Sequence, residues 1–268
     1  MTPRDHLLHH LRDLDGFLLV VTGAGISLAS GIPTFRGTDP GAVWKNDILE
    51  MATDHYFQRH PVESWRWYCT RFDRVVQALP NPAHHALAEL ERCHGDRGGE
   101  FLLVTQNTDT LHRKAGAQRL VEVHGRSDRV RCSSYGCRLG APRGSLPRPG
   151  ESLERFLASP CDELLPRCPE CEGILRPHVL WFDEYYQDHD DYQWHRVNEA
   201  AERADLVLFV GTSFSVGVTE LVLQGCGYRR VPIYAIDPGA HEAPYSFVRL
   251  LREPAEVLLP DVVTALRG

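Results

Sequence analysis

Four short apolar runs, each closed by small or polar residues, constrain this fold more than any other feature: "GFLLVVT" from Gly16, "FLLVTQ" from Phe101, "DLVLFVGTS" from Asp205 and "VPIYAID" from Val231. Consecutive apolar residues with no polar alternate predict strands buried on both faces, as in a parallel sheet covered by helices. Helical patterns separate the runs. "NPAHHALAELERC" has Pro82 just inside its start, "VNEAAERA" leads into Asp205, and "PAEVLLPDVVTALRG" follows the last run. This alternation predicts a doubly wound α/β sheet whose ligand crevice lies at the carboxyl ends of the strands.

Two stretches break the alternation. Residues 38–79 offer no strand, and "PVESWRWYCTRFDRVVQAL" places Val62, Trp65, Tyr68, Cys69, Phe72, Val75, Val76 and Leu79 at helical spacing, predicting a helical insertion. Residues 131–174 contain the Pro/Gly/Ser-rich "LGAPRGSLPRPGES", which cannot pack a core of its own and needs another staple. Five of the eight cysteines lie here. Cys132-x4-Cys137 and Cys168-x2-Cys171 form two hooks whose thiolates can converge on a tetrahedral Zn²⁺; four sulfurs leave no open position, so such a metal is structural. The alternative is a set of core thiols. Cys161 is a spare, and Cys69, Cys93 and Cys226 read as packing residues in apolar helical contexts.

The formal net charge of -7 over 268 residues gives no overall basic field for nucleic acid or an anionic membrane, so any anion site is local. Met1 to Gly16 is polar with three histidines and lacks a signal-peptide apolar run, and no apolar stretch reaches the roughly 18 residues of a membrane helix. The expectation is a cytoplasmic protein, monomeric, in direct contact with neither membrane nor nucleic acid.

Gly23-Ala24-Gly25 after the first run fits a phosphate-binding turn, where glycine lets backbone amides approach a diphosphate at a helix start. Leu28 replaces the third glycine of GxGxxG, and no acidic ribose partner follows at the expected spacing, which argues against a hydride-transferring dehydrogenase. Other polar groups cluster where strands end. "TQNTDTLH" presents Gln106, Asn107, Asp109 and His112; "EVHG" presents His124; "GTSFSV" and Asp237 follow the last two runs. Four such clusters aimed at one crevice point to a binding site beyond the ordinary polar caps of strand ends.

"GAGISLASGIPTFRG", "TQNTDTLH", "VHG", the paired cysteine hooks, "RPHVLWFDE" and "GTSFSV" together resemble, in order and over nearly the whole chain, the motifs of the sirtuins, NAD-dependent protein lysine deacylases. The resemblance implies a Rossmann-type NAD-binding domain of residues 1–37, 78–130 and 176–268, a helical insertion of residues 38–77 and a zinc-binding module of residues 131–175. It implies that NAD is consumed as co-substrate, its diphosphate held by Gly23, Ala24, Gly25, Ile26 and Ser27. Pro33, Phe35 and Arg36 would fold over the nicotinamide ribose. Gln106, Asn107 and Asp109 would contact ribose and carboxamide, and Gly211, Thr212, Ser213, Ser215 and Asp237 would line the adenosine side.

The implied chemistry begins when an acyl-lysine carbonyl oxygen displaces nicotinamide. His124 then acts as general base on a ribose hydroxyl, with Asn107 and Asp109 completing the catalytic set; His112 reads as structural. "RPHVLWFDE" would offer an exposed strand to the substrate main chain, with Val179 and Phe182 flanking the lysine tunnel. Tyr68 and Arg71 share a helix face. Sirtuins that prefer succinyl, malonyl or glutaryl lysine carry Tyr-x-x-Arg at this place, so the resemblance favours acidic acyl groups, with Ala52 leaving room in the pocket; the alternative is that Tyr68 continues the apolar stripe and Arg71 is solvated. Asp183, Thr110, Thr34 and Asp237 depart from common family residues, Asp183 and Thr110 standing where glycine is usual. The rival activities are an NAD glycohydrolase or mono-ADP-ribosyltransferase, and a non-catalytic NAD or ADP-ribose sensor.

Overall fold

The computed structural model of the chain describes residues 2–34, 50–240 and 242–267. Its strands, numbered in chain order among these residues, form two sheets. The large sheet contains β1 (Phe17–Thr22), β2 (Glu100–Thr105), β3 (Leu120–Glu122), β7 (Leu206–Val210), β8 (Ile233–Ile236) and β9 (Val248–Leu251). Every pairing is parallel, in the order β3-β2-β1-β7-β8-β9. The small antiparallel sheet has the order β5-β4-β6, formed by β4 (Gly125–Cys132), β5 (Leu146–Pro147) and β6 (Leu175–Val179).

The four apolar runs of the sequence become β1, β2, β7 and β8, and all six residues of β1 are buried. Side chains alternate between two cores, as strand geometry requires. Leu18, Val20, Leu103 and Leu208 pack with helices α1 (Pro3–Asp13), α4 (Pro82–Asp96) and α9 (Ala255–Arg267). Leu19, Val21, Leu102, Val207 and Phe209 pack with α7 (Trp194–Arg203) and α8 (Gly217–Tyr228) on the other face. Each large side chain buried this way contributes roughly 1.5–3 kcal/mol, which explains why these runs hold the sheet without polar alternation. The edge strands β3 and β9 are additions to the four runs. Helix α1 is another: Thr2 caps it reciprocally with Asp5, and Pro3 occupies its first turn.

In the insertion, α2 (Asp54–Arg59) and α3 (Pro61–Gln77) are the described helices. The expected stripe is buried at Trp65, Tyr68, Cys69 and Phe72, but Val76 and Leu79 are exposed, and Leu79 lies beyond the end of α3. Trp65, fully buried, donates its indole N–H to the carbonyl of Leu175 at 2.8 Å, tying α3 to β6. The Pro/Gly-rich loop is followed by α6 (Gly150–Ala158), whose Leu153 and Phe156 join a cluster with Phe57, Trp65, Tyr68, Phe72, Cys132, Cys168 and Trp181. The helical insertion and the cysteine segment therefore share one core.

Candidate active site

The strand order reverses around β1, whose neighbours are β2 and β7, so the turn after β1 lies at a topological switch point. Three glycines let the two flanking loops meet there. Gly25 donates its amide to the carbonyl of Gly211 at 2.8 Å, and a Cβ on Gly25 would stand 2.7 Å from the Gly211 Cα. Gly211 itself has φ of 59°, and a Cβ there would meet the Ile26 nitrogen at 2.4 Å. The helix that follows is a 3-10 helix, Ala24–Ser30, closed by Gly31 at φ 81°. A helix of this kind and length has a weaker dipole than a full α-helix, which leaves anion binding at this turn to local backbone amides.

The residues after β2 reach back to this turn. Asn107 donates its amide to the Gly23 carbonyl and to the Ser27 hydroxyl, both at 3.1 Å, and Ser27 donates to Asp109 Oδ2 at 2.7 Å. Gln106 donates to the Thr22 carbonyl and to the Thr212 hydroxyl. Burial raises the Asp109 carboxyl above its ordinary value, opposed by the bonds from Ser27 and the Leu111 amide. Thr110 next to it is left-handed at φ 64°, a conformation that a β-branched residue adopts only under strain and that accounts for glycine being usual there.

His124 follows β3, and its Nδ1 lies 2.8 Å from the Gln106 carbonyl. A carbonyl only accepts, so Nδ1 carries the proton and Nε2 presents a lone pair. Burial pushes the imidazole down to about 4, with the Gln106 carbonyl opposing. Nε2 faces the hydroxyl of Tyr186 at 3.3 Å, and Tyr186 in turn stacks on Trp194 at 4.1 Å. Neither aromatic was among the expected site residues: Tyr186 comes from a short 3-10 turn with no periodic signal, and Trp194 opens α7 ahead of its apolar stripe. His112 is buried and bonded through Nε2 to the Thr22 hydroxyl at 2.9 Å. Ser213 and Ser215 are exposed and bonded to each other, Thr212 is buried, and Asp237 accepts the Gly239 amide at 2.8 Å. Pro33 is half-buried; Phe35 and Arg36 lie outside the described residues.

Across the crevice, Ala52, Tyr68 and Val179 belong to one apolar cluster with Trp181, and the exposed Phe182 donates its amide to the Ala52 carbonyl at 3.0 Å. The Tyr68 hydroxyl accepts the Trp181 indole N–H, and burial raises its pKa. Arg71, one turn further along α3, stacks on Trp67 at 4.2 Å and lines a surface hollow of about 400 Å³ with Glu63, Arg66 and Thr70. Burial lowers its guanidinium to about 10, with Tyr68 opposing, so it stays charged at neutral pH.

The expectation of an exposed strand along "RPHVLWFDE" needs correction. All of β6 is buried, because it pairs with β4 and packs under α3; exposure begins only at Phe182 and Asp183 in the turn beyond it. Asp183 is also engaged: its carboxylate accepts the amides of Asp54 at 2.8 Å and His55 at 3.1 Å, capping α2 from across the small lobe. Buried Arg131 and Arg176 both bond Glu184, which accepts the Trp181 amide at 2.9 Å and so fixes this turn.

Cys132, Cys137, Cys168 and Cys171 form a cluster whose sulfurs all lie within 4.8 Å of one another, with Cys132–Cys171 at 3.5 Å and Cys137–Cys168 at 3.7 Å. None of the eight cysteines is disulfide-bonded. Tetrahedral Zn–S bonds of about 2.3 Å put sulfurs about 3.8 Å apart, so the four thiols fit a structural Zn²⁺.

A family model described as the Sir2 family matches residues 23–218. The chain is 45% identical over 198 residues to an NAD-dependent protein deacylase of Thermus thermophilus, covering 74% of this chain and 69% of that one. It is 35% identical over 259 residues to the mitochondrial NAD-dependent protein deacylase sirtuin-5 of Danio rerio, covering 92% and 82%. Among solved structures, a mutant Sir2 homologue in complex with ADP-ribose superposes with a TM-score of 0.81 at 33% identity, covering 98% of this chain and 96% of that one.

Proposed function

Because the chain belongs to the Sir2 family, we propose that it works as an NAD-dependent protein lysine deacylase, with His124 as general base and a preference for acidic acyl groups. One observation carries the assignment: at the carboxyl ends of β1, β2 and β3, hydrogen bonds join Ser27 to Asn107 and Asp109, while the carbonyl of the adjacent Gln106 holds His124. NAD supplies an electrophilic ribose carbon with nicotinamide as its leaving group. Gly23 to Ser27 would hold the diphosphate, and Gly211, Thr212, Ser213, Ser215 and Asp237 the adenosine side. Pro33, with Phe35 and Arg36, would cover the nicotinamide ribose. Asn107 and Asp109 orient ribose and carboxamide, a positioning effect that can lower a barrier by several kcal/mol. His124 Nε2, unprotonated at neutral pH, takes the proton of a ribose hydroxyl.

The acyl-lysine would enter between Val179 and Phe182, with the peptide main chain running beside the turn at residues 180–184 rather than along β6. Ala52, Tyr68 and Arg71 form the far end of the acyl pocket in this reading. A partly desolvated guanidinium beside a buried phenol gains more from a substrate carboxylate than from an acetyl methyl, which supports succinyl and malonyl preference. The division into an NAD-binding domain, an insertion (38–77) and a zinc module is part of the same proposal, with the expected module of residues 131–175 extended to residues 125–179 because β4 and β6 both belong to the small sheet; a cytoplasmic site of action and a monomeric state are proposed with it. Among the described residues, no helix is long and apolar enough to cross a membrane.

The test is nicotinamide release from NAD with and without acetyl- and succinyl-lysine peptides. Release that requires the acyl peptide, and that in His124→Ala stops within about one turnover, supports the deacylase. Release indifferent to peptide would establish the glycohydrolase instead, and no release with either peptide would leave the binding-only sensor.

A further inference from the structure

A second cluster of metal-ligating side chains lies apart from the cysteines. His178 on β6, with His189 and Asp191 from the segment that follows Tyr186, bring one ligand atom each within 4.8 Å of the others. His178 is fully buried, and neither of its ring nitrogens makes a hydrogen bond. Its Nε2 stands 3.1 Å from Asp191 Oδ2 without hydrogen-bond geometry. A buried imidazole facing a carboxylate off the line of a hydrogen bond lacks the partner that its desolvation calls for.

The surroundings of the other two members are those of ligands held from behind. His189 is buried, and its Nε2 lies 3.1 Å from the Gly144 carbonyl, which must accept the proton of that nitrogen and leaves Nδ1 as a lone pair. Nδ1 lies 3.9 Å from Asp191 Oδ2. That oxygen also accepts the Ser145 hydroxyl at 2.9 Å. A histidine donating its far N–H to a backbone carbonyl, beside a carboxylate oriented by a hydroxyl, is the arrangement that fixes metal ligands. At metal–nitrogen distances of about 2.0–2.1 Å, ligand atoms of a tetrahedron stand about 3.3 Å apart. The separations of Asp191 Oδ2 from the two imidazole nitrogens, 3.1 and 3.9 Å, straddle that value. The side chain of Asp191 is 44% exposed, which gives an ion a way in and leaves room for water as a further ligand. His189 Nδ1 also accepts the Asp191 amide at 3.1 Å, and that bond would yield to the ion.

We propose that His178, His189 and Asp191 form a second divalent-cation site, suited to a first-row ion that accepts imidazole with carboxylate, zinc first among them. The ion ties the segment 186–193 to β6, and through it Tyr186 to His124. The site is independent of the four thiolates and of the deacylase reading.

The test uses the full chain carrying one equivalent of zinc on its cysteines, exposed to excess Zn²⁺ or Co²⁺ and freed of unbound metal before metal content is measured. A second equivalent is expected. With Co²⁺ it shows the weak visible bands of nitrogen and oxygen ligation rather than the intense thiolate charge-transfer band. Asp191→Asn, a half-exposed change that keeps size, should weaken that second equivalent at least about tenfold while the first remains. His178→Gln should do the same, and retention of the first zinc reports that each variant has folded. Metal content that stops at one equivalent, a thiolate band showing only exchange at the cysteines, or a second equivalent that survives both substitutions overturns the proposal.

Discussion

The hydroxyl of Tyr186 lies 3.3 Å from Nε2 of His124, and the two rings stack at 20° with centroids 5.8 Å apart. Because Nδ1 gives its proton to the Gln106 carbonyl, the hydrogen bond at the Nε2 lone pair is donated by the Tyr186 hydroxyl. Donation to that lone pair favours the neutral ring and lowers its pKa. Tyr186→Phe should therefore move the acid limb of kcat/KM upward by about half a pH unit, the equivalent of part of one ordinary hydrogen bond. A pH–rate profile that does not move would show that the phenol only packs.

Asp183 holds the first two amides of α2. Asp183→Ala should lower stability by about 1 kcal/mol, the usual cost of a lost helix cap, while Asp183→Asn keeps most of it. Urea unfolding of the three proteins checks this. Equal midpoints would mean that the carboxylate is free to act on the peptide instead.

Thr110 bears a β-branched side chain at φ 64°. Relief of about 1–2 kcal/mol of left-handed strain, offset by the extra chain entropy of glycine, predicts that Thr110→Gly stabilises the fold by about 0.5 kcal/mol. A lower melting temperature in that variant would refute the strain.

For the acyl end, Arg71→Met should reduce desuccinylation at least about tenfold while deacetylation changes far less, since only the former loses a charge-assisted bond. Equal losses on both peptides would remove the carboxylate clamp from the proposal.

Two buried histidines set an acid limit on the fold. His84 and His112 lie 4.8 Å apart; burial pushes His84 down to about 4 and His112 well below its ordinary value. Their unfolded value is about 6.5, so the unfolded chain takes up protons that the folded one refuses. Stability is then full above about pH 6.5 and falls as pH drops toward 4, by at least about 2 kcal/mol between pH 6.5 and 5. Denaturant midpoints at the two pH values measure it, and a flat profile would show that both rings protonate in place.

What could be read from residues alone followed signal length. The runs that become β1, β2, β7 and β8 are long and uniformly apolar, so their burial was legible. Strand β3 has only three residues, and β9, no shorter than β8, is interrupted by the exposed Arg249, so neither reads as a uniformly apolar run. Helix α1 did carry a signal in Thr2-Pro3-Arg4-Asp5, a capping box hidden in a polar stretch. The residues joined to the glycine turn, Asn107, Asp109 and Gln106, were expected there because they end a strand. Tyr186 and Trp194 were not, since the first reaches His124 across more than fifty residues and the second only stacks on the first; Asp183 stood out as a departure, but its still longer-range bond to Asp54 left no trace in the sequence. The helical insertion and the cysteine segment were distinguishable as separate stretches, but their common core exists only after the chain has brought Phe156 beneath Trp65.

That common core has a physiological corollary. Cys132 and Cys168 stand in the same packed body as Ala52, Tyr68 and Trp181, whereas the layers around the large sheet are distinct clusters. Because tightly packed interiors pass displacement on rather than absorb it, a chain deprived of zinc would first lose the shape of the acyl pocket proposed at Ala52 and Tyr68. Its grip on the dinucleotide would outlast that drift.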